Sequence, residues 1–528
     1  MPPPFTPQIH LVANVLATQP SCTNAFVTHD LEHTTKTHAN VIALYESNGA
    51  GVAINDLDSD GDLDIVLANL RDPSTILWNL GNLHFRAEPL DDNDARAANM
   101  VDVDGDGLQD VVFTHRLAKP TWWHNNGQNS NPRFVKGELP DVHHPFFSLN
   151  WGDLDGNGAL DLVAGSYDTE LRKEQGAIFD YRGGGVGVFV YSREGQGYSS
   201  QRLATQADAL TIALPDLNGD GRLDILVGND FDRPDASWLR TGEGWQATTP
   251  FASTTENTMS LDEGDVDNDG APEIFATDMK PYRQDVATLA AWLPVMDKMT
   301  RPQSSADPQS AENALQRRTT DGSYTNEAYK RFIDATGWSW SSKFGDLDND
   351  GFLDLYIVNG MIAEGLLAHL PGNELVEENQ ALRNDGHGVF EPAPAWGLGS
   401  TASGRGMSIA DLDNDGDLDI VVNNLMSPAL LFENQLCGGV GIEVDLHWPT
   451  TKNSYAIGAK LVLHADSGNY YRTVRAASGY LSGDPARVHF GLPRDATPQQ
   501  LEIRWPDGAV TEVDTIEPQT LVTITRLE

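Results

Sequence analysis

Positive charge, cysteine and long apolar runs are what this 528-residue chain has least of. Lys and Arg number 35 against 77 Asp and Glu, a net charge of −42 at pH 7. That balance excludes nucleic acid and anionic membrane as partners, since both need a basic footprint. No run of 18 apolar residues occurs, so the sequence predicts no membrane span. Cys22 and Cys437 are the only cysteines, too few for a disulfide framework. The opening residues, "MPPPFTPQIHLVANV", lack the charged n-region and long apolar h-region of a secretory signal. That leaves a cytoplasmic chain or an exported one already trimmed.

What the chain has in excess is one acidic pattern. D-x-[DN]-x-[DN]-G-x-x-[DE] occurs seven times, and each copy is followed by a strand-like run such as "IVLAN" or "VVFTH". The polar positions are Asp56, Asp58, Asp60 and Asp64; Asp102, Asp104, Asp106 and Asp110; Asp153, Asp155, Asn157 and Asp161; Asp216, Asn218, Asp220 and Asp224; Asp265, Asp267, Asp269 and Glu273; Asp346, Asp348, Asp350 and Asp354; and Asp411, Asp413, Asp415 and Asp419. Oxygen ligands at positions 1, 3, 5 and 9, a carbonyl near 7 and a turn glycine at 6 suit a hard cation of Ca²⁺ size. Position 12 is apolar (Leu67 in the first copy) and strands flank the loop, so these are hairpin loops and not EF-hands. Solvated acidic turns are the plain alternative, but carboxylates this close repel one another unless a cation sits among them. Up to seven Ca²⁺ are expected, bound more weakly at the loops starting at Asp153, Asp216 and Asp265, where Asn157, Asn218 and the Pro272–Glu273 pair depart from the pattern. Seven such ions would bring the net charge from −42 to −28.

Each repeat reads as four strands: A before the loop, B after it, C ("TILWNL" in the first copy) and D beginning with an aromatic ("FRAEPL"). Seven such repeats predict an all-β, seven-bladed propeller over 25–438. The last repeat has no D strand before Cys437, and "FVTHDL" fits that template, so the segment 25–32 is expected to close the ring. Residues 1–24 then form an N-terminal extension. Cys22 and Cys437 fall on one C–D turn, where they either form a disulfide or remain two free thiols. A partly helical insertion, containing "VATLAAWLPVMDKM", is expected over 278–330.

Strand A lines the channel of a propeller. Five residues before the loops stand Gly51, Ala97, Ser148, Thr211, Ser260, Ser341 and Gly406; three before stand Ala53, Asn99, Asn150, Ala213, Asp262, Lys343 and Ser408. These should face the channel, where Asp262 and Lys343 are placed to pair. The long insertions lie on the rim opposite the acidic loops. At the B-strand ends on that rim stand Asn69, His115, Ser166, Asn229, Asp278, Asn359 and Asn424, which either cap their own hairpins or together form a ligand mouth. Histidines 29, 33, 38, 143 and 144 follow no metal-ligand spacing, and no nucleophile elbow, phosphate loop or zinc signature is present.

After 438 the acidic loops stop, and alternating segments such as "GIEVDLH" and "LEIRW" predict a small β-sandwich over 439–528. "AIGAKLVLHADSGNYYRTVRAASGYLSGDPARVHFGLP" with "LEIRWPDG" resembles the ASPIC/UnbV domain of cartilage acidic proteins and of proteins from some enediyne gene clusters. Gly458, Ala459, Gly479, Tyr480, Ser482, His489, Phe490, Gly491, Leu492, Trp505, Pro506 and Gly508 carry the match. The acidic repeats resemble the FG-GAP (VCBS) repeats that accompany that domain and build integrin α-subunit propellers. The resemblance implies a seven-bladed, Ca²⁺-binding and usually exported protein, but no reaction.

Three functions compete. One is an extracellular, periplasmic or cell-surface binding module for a glycan, peptide or protein on the face opposite the calcium loops; loops of extracellular modules bind Ca²⁺ at about 10⁻⁴ to 10⁻³ M, a level a cytosol does not supply. The second is an enzyme of specialised metabolism using Asp278, His115 or Asp262 at the channel mouth. The third is a structural part of a cell-surface assembly.

Overall fold

A computed structural model describes residues 7–17, 22–38, 42–181, 183–231, 233–299, 308–514 and 516–528. The repeats fold into seven four-stranded antiparallel sheets in the strand order A-B-C-D. The first is built from Val52–Asn55, Asp64–Leu67, Ser74–Asn79 and Phe85–Leu90. Strands A touch in chain order from sheet to sheet, Trp151 Nε1 bonding Asn99 Oδ1 between the second and third, and the seventh returns to the first. That closed ring of sheets is a β-propeller. The seventh sheet consists of Gly404–Ala410, Asp419–Asn424 and Pro428–Glu433, with Val27–Thr34 as its outer strand, so its fourth strand comes from the other end of the chain. Beside that junction Cys22 and Cys437 form a disulfide with Cα atoms 5.2 Å apart.

Period-2 alternation explains the packing. Val52, Ile54, Ile65 and Leu67 on one side of the first sheet meet Ala410, Val421 and Leu431 of the seventh, while Ile76, Trp78 and Val66 on its other side meet Met100, Val111 and Phe113 of the second. A buried asparagine ending strand C fastens neighbouring sheets together. Asn79 Nδ2 donates to Leu412 O, Asn125 to Leu57 O, Asn384 to Val266 O and Asn434 to Leu347 O, each reaching the acidic loop of the preceding sheet.

Two boundaries differ from the sequence reading. Ala314–Arg318 and Tyr324–Asn326 are strands C and D of the fifth sheet, so the insertion placed at 278–330 ends by 313; its helix runs Val286–Met299. The N-terminal extension placed at 1–24 is not free either. Ile9–Val15 pairs with Thr520–Arg526 and completes the sandwich sheet that also holds Val440–His447 and Val488–Leu492. The second sandwich sheet is Gly468–Thr473, Lys460–Ala465, Pro498–Arg504 and Val510–Val513. Trp448, Leu461, Phe490, Ile503 and Trp505 fill the space between the two sheets, and the same apolar cluster continues into Val103, Trp151 and Leu160 of the propeller.

The channel is filled. The sandwich sits on the acidic-loop rim, and its loop 475–484 enters the ring and bonds to strand A of all seven sheets. Ser482 Oγ accepts from Val52 N (3.4 Å) and Met407 N (3.1 Å), Leu481 O from Ala98 N, Ala477 O from Asn150 Nδ2, and Gly479 O from Thr211 Oγ1. Gly479 N donates to Leu261 O, Lys343 Nζ donates to Ser478 Oγ at 2.8 Å, and Ser408 Oγ donates to Gly483 O. This is why glycine stands at two of the channel-facing positions: a Cβ at Gly51 would stand 1.7 Å from Leu481 O, and one at Gly406 2.7 Å from Ser482 Oγ. We predict that Gly51→Ala lowers stability by about 1–3 kcal/mol, the ordinary cost of overpacking, and exposes 475–484 to limited proteolysis. Unchanged cleavage kinetics and an unchanged denaturation midpoint would show that the loop does not need this close approach.

Candidate metal loops, the filled channel and an interdomain cavity

All seven acidic loops share one scaffold. The first carboxylate receives backbone N–H groups from inside the loop: Asp56 Oδ2 accepts from Gly61 N at 3.0 Å and Asp411 Oδ2 from Gly416 N at 2.8 Å. The ninth ties the loop to its sheet: Asp64 accepts from Leu57 N and Asn79 N, and Asp419 from Leu412 N and Asn434 N. Side-chain oxygens of Asp56, Asp58 and Asp64, of Asp102, Asp104 and Asp110, of Asp153, Asp155 and Asp161, and of Asp265, Asp267 and Asp269 lie within 4.8 Å of one another in each set. Burial is the main cause that raises the ninth carboxyl, to about 8 at Asp64, about 7 at Asp110 and Asp161, about 6 at Asp224 and about 8 at Glu273; neighbouring loop carboxylates add to it.

The third position separates the loops. Asp58, Asp104, Asp267, Asp348 and Asp413 each hold a buried Oδ1 with no hydrogen-bond donor. In the third loop Asp155 Oδ1 accepts from Asn157 N, and in the fourth Asn218 Oδ1 accepts from Asp220 N. The fifth loop therefore resembles the well-marked ones in this respect, although Arg317 and Arg331 reach Asp267 and Asp269. Arg383 similarly reaches Asp348 and Asp350 in the sixth. His124, on strand C beside the second loop, lies 3.6 Å from Asp104 and 3.3 Å from Asp110. Sequence reasoning passed over it because its neighbours belong to another strand.

The residues assigned to a ligand mouth bond to their own loops and to the segments that enter their sheets. Asn69 Oδ1 accepts from Lys36, Arg71 and Asp72 N, and Asn229 bridges Asp208 N and Pro234 O. Asp278 accepts from Glu256, Asn257 and Met279 N, and Asn359 Nδ2 donates to Thr336 O and Glu378 O. Ser166 bonds Asp168 and Gly187, His115 bonds Asp94 O and Thr121 Oγ1, and Asn424 bonds Pro428 O. All seven are buried. The centre of that rim is closed as well. Arg96 and Arg405 hold the carbonyls of Tyr45, Ser47 and Gly49 across it, and the Tyr480 hydroxyl reaches Asn48 O from the channel side.

Asp262 and Lys343 do not pair with each other. Arg475 takes Asp262 at 2.7 Å and Lys343 takes Asp484, because the sandwich loop carries both partner charges into the channel. Burial lowers the stability of any charge left alone there.

The open volume lies on the acidic-loop rim, between propeller and sandwich. A cavity of about 720 Å³ is walled by Asp265, Asp346 and Asp411 on the propeller side and by Glu443, Arg472 and His489 on the sandwich side. Alternation in "GIEVDLH" and "RVHFGL" turns Ile442, Val444, Val488 and Phe490 into the sandwich core and Glu443, Arg487 and His489 toward the rim. Burial and the nearby Arg472 lower His489 to about 3, so its ring is neutral, and Nε2 bonds Gly416 O at 3.1 Å. Replacing Lys343 by Met should cost about 3–5 kcal/mol, as breaking a buried pair does, and Lys343→Met with Asp484→Asn should recover part of it in a denaturant titration. A loss under 1 kcal/mol would mean Asp484 is adequately held by Arg475 alone.

Two family descriptions match this chain: FG-GAP-like repeat over residues 56–113, 102–164, 216–276 and 370–422, and ASPIC and UnbV over 449–528. Cartilage acidic protein 1 of Xenopus tropicalis is 23% identical over 525 residues, spanning 88% of this chain and 72% of that protein. The Homo sapiens protein of the same name is 24% identical over 510 residues, spanning 88% and 70%. Among solved structures, a chain of the crystal structure of BBS1N in complex with ARL6DN superposes with a TM-score of 0.43 at 9% identity, covering 75% of this chain and 94% of that one.

Proposed function

The chain is an FG-GAP-repeat protein with a C-terminal ASPIC and UnbV domain, related to the cartilage acidic proteins, and on that premise we propose that it is an exported binding module stiffened by Ca²⁺. The observation that carries the metal part is the set of buried, donorless oxygens of Asp58, Asp104, Asp267, Asp348 and Asp413. A buried carboxylate oxygen without a partner is costly, and a hard cation supplies the missing positive charge. The side chains at positions 1, 3, 5 and 9 of each loop would hold it. The loops starting at Asp153 and Asp216 would bind more weakly, since their third-position oxygens already accept backbone N–H groups.

Export is supported by the Cys22–Cys437 disulfide, which an oxidising compartment maintains, and by the millimolar Ca²⁺ outside cells that such loops require. No helix among the described residues is long and apolar enough to cross a membrane.

For the partner, a peptide, protein or glycan, the rim opposite the acidic loops offers a surface and not a hole. Insertion helices present exposed Val286, Leu293 and Ile178 there, around the closed centre. The enzyme alternative rested on Asp278, His115 and Asp262. Asp278 accepts three backbone N–H groups, His115 is buried between Asp94 O and Thr121, and Asp262 is ion-paired to Arg475. Groups committed in this way are not free to move a substrate's proton.

Thermal unfolding in EDTA followed by Ca²⁺ addition tests the metal reading. The midpoint should rise steeply with half-effect near millimolar, following mass action. Asp58→Asn and Asp413→Asn should each remove about one bound ion by equilibrium dialysis, whereas Asp155→Asn should change the total little at the same free Ca²⁺. A midpoint insensitive to chelator and no retained calcium would sink the proposal.

A further inference from the structure

One position on strand C lies beside the acidic loop, and its chemistry changes from sheet to sheet. The residue after the ninth loop position pairs with strand C, as Val111 does with Trp123 in the second sheet, and the next strand C residue is the one in question. In the same register it is Arg317 in the fifth sheet, Arg383 in the sixth and Glu433 in the seventh. Arg317 lies 2.7 Å from Asp269, and Arg383 lies 2.5 Å from Asp348 and 2.8 Å from Asp350. The first, third and fourth sheets place Trp78, Ser192 and Leu239 there. Only the second sheet carries an imidazole, that of His124.

That ring is aimed at the loop and left without a partner. Its Nδ1 stands 3.6 Å from Asp104 Oδ2 and 3.3 Å from Asp110 Oδ1, is buried, and makes no hydrogen bond. Asp104 Oδ1 beside it is also buried without a donor. A ring nitrogen of His124 and one oxygen each of Asp104 and Asp106 lie within 4.8 Å of one another, as do oxygens of Asp102, Asp104 and Asp110. Trp122 packs its edge against the imidazole with ring centroids 5.3 Å apart, which restricts the rotation of the ring.

We infer that the second loop is a mixed nitrogen and oxygen site for a transition-metal dication of the Zn²⁺ class, with His124 as its nitrogen ligand beside Asp104, Asp106 and Asp110. The inference rests on reading the loops as cation sites and changes the ion of one of them. Ca²⁺ takes oxygen ligands, whereas imidazole suits Zn²⁺ and its first-row neighbours. The spacing agrees: ligand atoms about 2.1 Å from one metal, at angles of about 90 to 120°, stand about 3.0 to 3.6 Å apart. A plain counter-charge is the competing role, and Arg383 shows its form, with two hydrogen bonds to loop carboxylates. His124 Nδ1 makes none. The other six loops lack this nitrogen, because a guanidinium has no lone pair to give and Glu433 offers only oxygen.

The test uses the full chain, freed of metal with EDTA and returned to millimolar Ca²⁺, then titrated with Zn²⁺ by calorimetry and with Co²⁺ by visible absorption. One equivalent should bind in the presence of Ca²⁺, and X-ray absorption at the zinc edge of the one-to-one complex should show an imidazole nitrogen in the shell. His124→Gln should weaken Zn²⁺ binding by at least about tenfold, since removing even an outer partner of a metal ligand costs about 10- to 100-fold. The Ca²⁺-dependent rise in unfolding midpoint is measured on the same variant and should persist, which shows that it folds. An all-oxygen shell in the wild-type chain overturns the inference, and so does Zn²⁺ held equally well by His124→Gln, because other histidines would then bind it. Absence of Zn²⁺ binding while Ca²⁺ still stabilises the chain overturns the inference and leaves the calcium reading standing. Zn²⁺ held through His124 in a chain that Ca²⁺ does not stabilise supports the inference and removes the calcium reading.

Discussion

A ring of inner strands leaves polar edges facing a narrow axis, and those groups must be satisfied. Here the loop 475–484 satisfies them, with at least one hydrogen bond to strand A of every sheet. Most other features of the molecule follow from that. At two channel positions only glycine fits, because the loop comes within contact distance: Leu481 O at Gly51 and Ser482 Oγ at Gly406. Because the loop comes from the sandwich, the two domains form one body, and the strand Ile9–Val15 ties the amino terminus into the same sandwich. Tyr480 carries the contact through to the far rim, where it packs on Trp340 and bonds Asn48 O.

Charge sets the second constraint. The acidic loops crowd onto one rim, and the sandwich meets them with its polar sheet face, placing Arg472 and Arg487 among loop carboxylates and loop carbonyls. Ser454 donates to Asp102 and Tyr455 to Gly107 O, so the docking surface is shaped by the loops themselves. Whatever neutralises the loops therefore also acts on the seam between the domains. The cavity lies in that seam, where rim and sheet do not quite meet.

Much of the fold was legible because its signals are local. The acidic motif, the apolar run after it and the aromatic opening of strand D fall within a few dozen residues of one another, and strand alternation shows which face is buried. The missing fourth strand of the last repeat and the fit of "FVTHDL" to the strand D template pointed to 25–32, and the strand runs Val27–Thr34. The role of the B-strand-end residues as caps or as a ligand mouth depended on where each side chain turned, and Asn69, Asn229 and Asn359 turn onto backbone of their own loops and of the segment that enters their sheet. The asparagines ending strand C were legible in "LWNLG", "WHNNG", "LRNDG" and "FENQL"; each caps its own turn, bonds its own loop and reaches the neighbouring sheet, and the last of these contacts is visible only in the structure.

The sequence by itself determined the repeat, its strand order, the acidic loops and the boundary near 438, because each is written in short-range pattern and composition. Tertiary structure alone decided what fills the channel, which partners Asp262 and Lys343 take, and where open volume remains. Tyr480 and Asn48 are 432 residues apart and Lys343 and Asp484 are 141 apart. No periodicity encodes such a contact; it exists only once the ring has closed and the sandwich has docked on it.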